Sequence, residues 1–155
     1  MPKLDMSGWE EIPGTPNRIT GINLGPSAEL PLGDQAGLTQ FGAHLERLEP
    51  GSSSSHRHWH ETEDELIYIL DGTLVLIEDE ETILSAGDAA AWAAGSPVGH
   101  CLVNRSDRPA TMLVVGTRAK DGVVHYPDHD VIMTHNAEDR RFHRADGTKI
   151  LPKGD

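Results

Sequence analysis

Apolar positions in this chain fall in short runs that alternate with polar ones every second residue, and helical spacing is rare. From Leu38 onward, Phe41, Ala43 and Leu45 alternate with more polar neighbours as far as the break at Pro50-Gly51. This is the period-2 pattern of a half-buried strand. A second strand is predicted over residues 56–60, and a third over 65–70, which is rich in β-branched and aromatic residues. Asp71-Gly72 is a tight-turn pair, so residues 73–78 are predicted to return as the hairpin partner of the third strand. Acidic Asp79-Glu80-Glu81 makes the next turn, before a short strand at 82–84. The Ala-rich stretch 86–94 resembles a helix in composition. Gly87 at one end and Gly95-Ser96-Pro97 at the other leave too little length for one, so it is read as a strand. Strands at 100–104 and 111–117 complete the series, separated by a turn at Ser106–Pro109.

Short strands punctuated by Gly and Pro predict an all-β sandwich or barrel. Residues 1–37 hold Pro2, Pro13, Pro16, Pro26 and Pro31 and read as an extended N-terminal arm packed on the body through residues such as Trp9 and Ile19. The barrel itself is expected over 38–118. Residues 119–155 form a C-terminal extension, partly irregular, with strands at 131–133 and around Phe142 and an end that can be disordered after Gly147.

A chain of 155 residues makes one domain with a proper core. Its net charge of −12 argues against nucleic acid or an anionic membrane as a partner, since both repel an acidic protein. The single cysteine, Cys101, excludes an intramolecular disulfide and fits a reducing compartment. With no signal-peptide pattern at the N-terminus and no run of membrane-spanning length, the expected location is the cytoplasm.

Chemistry concentrates between Ser55 and Glu65. Side chains two apart on a strand share a face, so His56, His58 and His60 point the same way, and Glu65 brings a carboxylate five residues later. Imidazoles and a carboxylate gathered on one wall are the minimal set for a divalent first-row metal with open positions. His100 is a possible fourth ligand. If these groups face inward, Ile67 and Ile69 share their face, and a polar cluster inside an apolar barrel is costly unless it is paired or coordinated.

These residues resemble the motifs of the cupin superfamily. The first cupin motif reads here as Gly51, His58-Trp59-His60, Glu65 and Gly72, with one extra residue before His58. The second reads as Gly87-Asp88, Gly95, His100 and Asn104, with Ala93 in place of the usual proline and a longer interval before the histidine. The resemblance covers roughly residues 38–117. It implies a double-stranded β-helix (jelly-roll) barrel with His58, His60, Glu65 and His100 holding a divalent transition metal such as Zn, Fe, Mn or Ni. It also implies a homodimer.

Such a centre can polarise a carbonyl, ionise a bound water or bind dioxygen. The leading expectation is a metal-dependent enzyme that isomerises, or eliminates from, a small polar substrate such as a sugar, sugar phosphate or organic acid, with His44 or His56 moving the proton. An iron-dependent dioxygenase and a non-catalytic small-ligand-binding module are the alternatives. Trp59 is expected to face outward, Tyr68 and Trp92 to serve packing, and Cys101 to be a buried structural thiol. His125, His129, His135 and His143 read as solvated.

Overall fold

The computed structural model describes residues 3–154. In chain order the elements are β1 (Glu10–Ile12), β2 (Ser27–Pro31), one helical turn α1 (Leu32–Gln35), β3 (Phe41–Leu48), β4 (Trp59–His60), β5 (Glu65–Asp71), β6 (Thr73–Ile77) and β7 (Glu81–Ser85). Then follow β8 (Ala89–Trp92), β9 (Cys101–Val103), β10 (Ala110–Thr117), β11 (Gly122–Tyr126), β12 (Val131–His135), β13 (Arg140–His143) and β14 (Lys149–Ile150). A six-stranded sheet runs β1-β2-β3-β10-β5-β8, a three-stranded sheet runs β7-β6-β9, and a five-stranded sheet runs β14-β13-β12-β11-β4.

The core lies between the first two sheets. Leu48, Ile67, Ile69, Ala110, Met112 and Trp92 from the larger sheet meet Leu74, Leu76, Leu84 and Leu102 from the smaller. Burying such side chains is the main favourable term in holding the sheets together, at about 25 cal/mol per Å² of apolar surface. The arm joins this architecture through β1 and β2, which extend the large sheet beyond β3.

The hairpin predicted at Asp71-Gly72 does not form. β5 pairs with β8 and β10, whereas β6 pairs with β7 and β9, so the chain crosses from one sheet to the other at Gly72. Gly72 has φ +80°, and a Cβ there would come within 2.8 Å of Ala110. The close backbone approach, possible only for glycine, makes this a corner between sheets.

The strand predicted over 56–60 is also shorter than expected, being confined to Trp59–His60. Before it, His58 makes an isolated bridge to His100, with His58 N donating to His100 O at 3.1 Å and His100 N to His58 O at 3.0 Å. The preceding serines bond outside a regular ladder. Ser52 Oγ donates to Pro26 O, and Ser54 Oγ accepts from Leu102 N. Such side-chain bonds offer the backbone an alternative to sheet pairing.

After residue 118, where partial irregularity was expected, four strands stack in antiparallel order on β4. Val124 and Val131 are buried there, and the end after Gly147 is tied down by β14.

Candidate metal centre

Four elements deliver the site. The register of the large sheet aligns Gly42, Gly116, Glu65 and Trp92 in one rung, so Glu65 is flanked on one side by two residues without side chains. The next rung holds His44, Val114, Ile67 and Ala90, and the one beyond holds Glu46, Met112 and Ile69. The bridge between His58 and His100 and the short strand β4 carry the imidazoles across from the other wall.

One carboxylate oxygen sits at the centre. Glu65 Oε2 lies 3.1 Å from His100 Nε2, 3.5 Å from His60 Nε2 and 3.7 Å from His58 Nε2. His58, Glu65 and His100 offer ligand atoms all within 4.8 Å of one another, which makes them a cluster capable of holding a metal ion. The outward-facing ring nitrogens support this. His58 Nδ1 lies 2.9 Å from His56 O, and His100 Nδ1 lies 3.1 Å from Val98 O. A carbonyl only accepts, so each Nδ1 carries a proton, and in neutral imidazoles each Nε2 presents a lone pair toward the carboxylate. Lone pairs converging on an anion are relieved by protons or by a metal cation between them, and backbone carbonyls holding the far nitrogen are the usual support of metal-binding histidines. The donor set therefore fits a divalent metal.

His60 is held differently. Its Nδ1 faces Glu63 Oε2 at 2.8 Å, an ion pair when the ring is protonated. Burial works against a charge on His60, but Glu63 and Glu65 outweigh it and lift its pKa to about 9. Burial likewise opposes ionisation of Glu65, yet the three imidazoles hold its carboxyl far below the ordinary range. A bound metal would take the place of those protons. Trp92 lies parallel to the His100 ring at 3.6 Å and is fixed by Nε1 donating to Glu78 Oε1 at 2.7 Å. It buttresses His100 as well as filling the core.

The two spare histidines occupy different places. His44 lines a cavity of about 230 Å³ together with His60, Glu63, Glu65 and Arg118, next to the cluster. His56 turns away into another cavity, where its Nε2 lies 2.9 Å from Thr20 Oγ1 and its ring meets His129 edge-on at 4.4 Å. Of the histidines expected to be solvated, His125 stacks on Trp59 at 4.0 Å and meets Glu61 Oε1 at 2.6 Å. Trp59 does face away from the Glu65 cluster, onto the C-terminal sheet. Cys101 is buried, and burial pushes its thiol up to about 11, consistent with an inert structural role.

Sequence reasoning missed three nearby groups. Glu46 is only 8% exposed on the inner face of β3, where burial, then the Glu29 and Glu65 carboxylates, push its pKa up to about 8. Its parity with His44 was the available signal. Arg118 reaches the His44 cavity and pairs with Asp34, and the Tyr126 ring stands 5.8 Å from that of His58. Nothing local in the sequence marks either.

The fold and site together define a jelly-roll protein with an internal His/Glu cluster. The chain belongs to the cupin superfamily: the cupin domain family matches residues 44–116. A crystal structure from Silicibacter pomeroyi, described as a sugar phosphate isomerase from a cupin superfamily, is 42% identical with TM-score 0.89 and covers 99% of this chain and 100% of that one. A second, from Acidithiobacillus ferrooxidans and provisionally described as a sugar phosphate isomerase, is 26% identical with TM-score 0.76, over 83% of this chain and 82% of that one. A predicted oxalate decarboxylase from Thermotoga maritima, 24% identical with TM-score 0.57 over 72% of this chain and 92% of that one, shares the fold. No curated protein matches the chain.

Proposed function

We propose that this protein is a divalent-metal-dependent enzyme that isomerises a small polar substrate, with sugar phosphates as the favoured class. The observation that carries this reading is the His58/Glu65/His100 cluster, with His60 beside it, adjoining a cavity that His44 also lines. The 42% identity to a protein described as a sugar phosphate isomerase supports that substrate class. In this reading His58, His60, Glu65 and His100 are the ligands, and a metal bound by them would polarise the substrate carbonyl as a Lewis acid.

His44 then takes the proton from the hydroxyl-bearing carbon next to the carbonyl and returns it to the carbonyl carbon, while a proton passes from that hydroxyl to the former carbonyl oxygen. An imidazole suits this task because its ordinary pKa lies near neutrality. Arg118, at the cavity wall, meets the anionic end of the substrate in competition with Asp34. Gly42 and Gly116 leave the space beside Glu65 open. The same reading includes a cytoplasmic location, consistent with one buried free cysteine, and a homodimer, supported by the apolar outer face of the large sheet.

The test is solvent proton exchange. Metal-loaded protein in D₂O with a panel of aldose and ketose phosphates should lose the proton signal at the carbon next to the carbonyl. His44→Ala should abolish the exchange at unchanged metal content. If metal-loaded wild type neither exchanges nor converts any member, the isomerase reading fails and a ligand-binding role replaces it.

A further inference from the structure

On the other side of His58 from the His44 cavity lies a pocket of about 180 Å³, walled by the N-terminal arm, the loop before β4 and the C-terminal sheet. By volume it holds roughly six waters or one small organic molecule. Its charge is unlike that of the molecule around it. The chain carries 25 acidic residues and a net charge of −12, yet no Asp or Glu lines this pocket, and Arg140 does.

Arg140 is singular among the nine arginines of the sequence. Arg18 donates to Lys153 O, and Arg47, Arg57, Arg105, Arg108, Arg118, Arg141 and Arg144 each pair with a carboxylate. Among the described residues Arg140 makes no side-chain hydrogen bond and no ion pair. Other donors face the same space. Tyr126 is half-buried and its hydroxyl has no hydrogen-bond partner among the described residues; burial raises its pKa, with nearby Arg140 opposing the shift. Asn17 uses its Oδ1 to accept from Ile19 N and Thr20 N, which leaves its Nδ2 hydrogens free. Val131, Met133 and Phe142 supply an apolar wall.

An exposed guanidinium with no carboxylate partner, a phenol and an amide NH₂ group thus offer donors to a pocket that no carboxylate lines, beside Thr20 and His56, which bond each other. We propose that this pocket binds a small oxyanion on a short apolar body, either a monocarboxylate or a phosphate monoester. Arg140 grips the oxyanion and Tyr126 donates a second hydrogen bond to it; a guanidinium is suited to two-pronged recognition of either group. The site goes beyond the isomerase reading and does not depend on it, because it uses none of the proposed metal ligands.

Titration calorimetry on metal-free protein with butyrate and with methyl phosphate tests the proposal. Saturable binding of at least one probe at millimolar concentration is expected, and whichever binds more tightly identifies the headgroup. Arg140→Gln should weaken binding at least tenfold, Arg140→Lys less, and Tyr126→Phe a few-fold. Glu65→Gln, which alters the metal cluster, should leave binding unchanged. Arg140 has no side-chain partner to lose, so its variants should keep the wild-type unfolding midpoint, and Tyr126→Phe gives an independent reading. Absence of saturation with both probes, wild-type affinity in Arg140→Gln, or loss of binding in Glu65→Gln would each overturn the site.

Discussion

The two faces of β5 are both apolar in sequence and opposite in fate. On the inner face Glu65 reaches the imidazoles, while Ile67 and Ile69 are 1% and 0% exposed. On the outer face Leu66, Tyr68 and Leu70 are 43%, 40% and 46% exposed. Elsewhere the same outer face is covered. Leu30 and Ala28, which pair with Leu45 and Arg47, are fully buried, and the arm lies over this region with Gly8 near Leu30 and Trp9 against the Arg47 guanidinium. The arm stops short of the β5 side, where Phe41 is also 43% exposed. An apolar run in a sheet therefore does not by itself mark the core. The register has to show which face meets the second sheet, and the bare remainder is the surface on which the proposed homodimer would rest.

The largest contrast should come from replacing one residue on each face. Glu65→Ala removes the group on which all the imidazoles converge, and metal affinity should fall by at least about 100-fold, since even outer supports of ligands are worth 10–100-fold. Metal titration of wild type and variant measures it; near-equal affinity would mean that the cluster is not the metal site. Ile69→Ala opens a cavity in the core and should cost about 2–5 kcal/mol by urea denaturation. Leu70→Ala, one residue away on the outer face, should cost under about 1 kcal/mol. Equal costs would collapse the distinction between the faces.

Glu46 sharpens the inner face. Its carboxyl is lifted from 4.5 to about 8 by burial and by Glu29 and Glu65. An acid whose folded pKa is raised favours folding below its unfolded pKa, and this contribution is lost as pH rises through the folded value. Metal-free protein should therefore lose stability between pH 5 and 9, by at most about 5 kcal/mol from this group. Glu46→Gln stays neutral throughout. Denaturation at both pH values should show the variant gaining on wild type at pH 9 relative to pH 5. A parallel pair of pH profiles would place a charged or paired Glu46 in the barrel instead.

The sequence carried most strand positions and the spacing of the His/Glu cluster, because both are local: alternation marks a strand, and the His-x-His and Glu intervals survive any error in topology. It did not carry the sheet crossing at Gly72, since an Asp-Gly pair serves a hairpin and a corner equally and the Ala110 backbone that decides between them is distant in sequence. It left His56 out of the ligand set only through the cupin resemblance, and kept it as a candidate proton carrier. Parity groups it with His58 and His60, but the segment before Trp59 is not a regular strand, and Thr20 from the arm draws its ring away. The C-terminal sheet was muted for a third reason. Its strands are short and interleaved with Arg140, Arg141 and Lys149, so their apolar alternation is weak until they stack.

The outer face yields the prediction with the smallest effect on the fold and a clear effect on assembly. If a second copy of the chain covers Phe41, Leu66, Tyr68 and Leu70, light scattering at micromolar concentration should give twice the 16.8 kDa chain mass. Leu66→Asp places a charge in the middle of that face, where it stays hydrated in a monomer but is desolvated in a dimer. The variant should dissociate while its folding stability, read by urea under monomeric conditions, changes by no more than about 0.5 kcal/mol, as expected for a surface position. Val115, beside Leu66 in the β10 register, gives a second site for the same test through Val115→Asp. A wild-type monomer would end the dimer proposal. A dimer that survives both charges would show that the copies meet elsewhere, leaving the bare half of the outer face to a different partner.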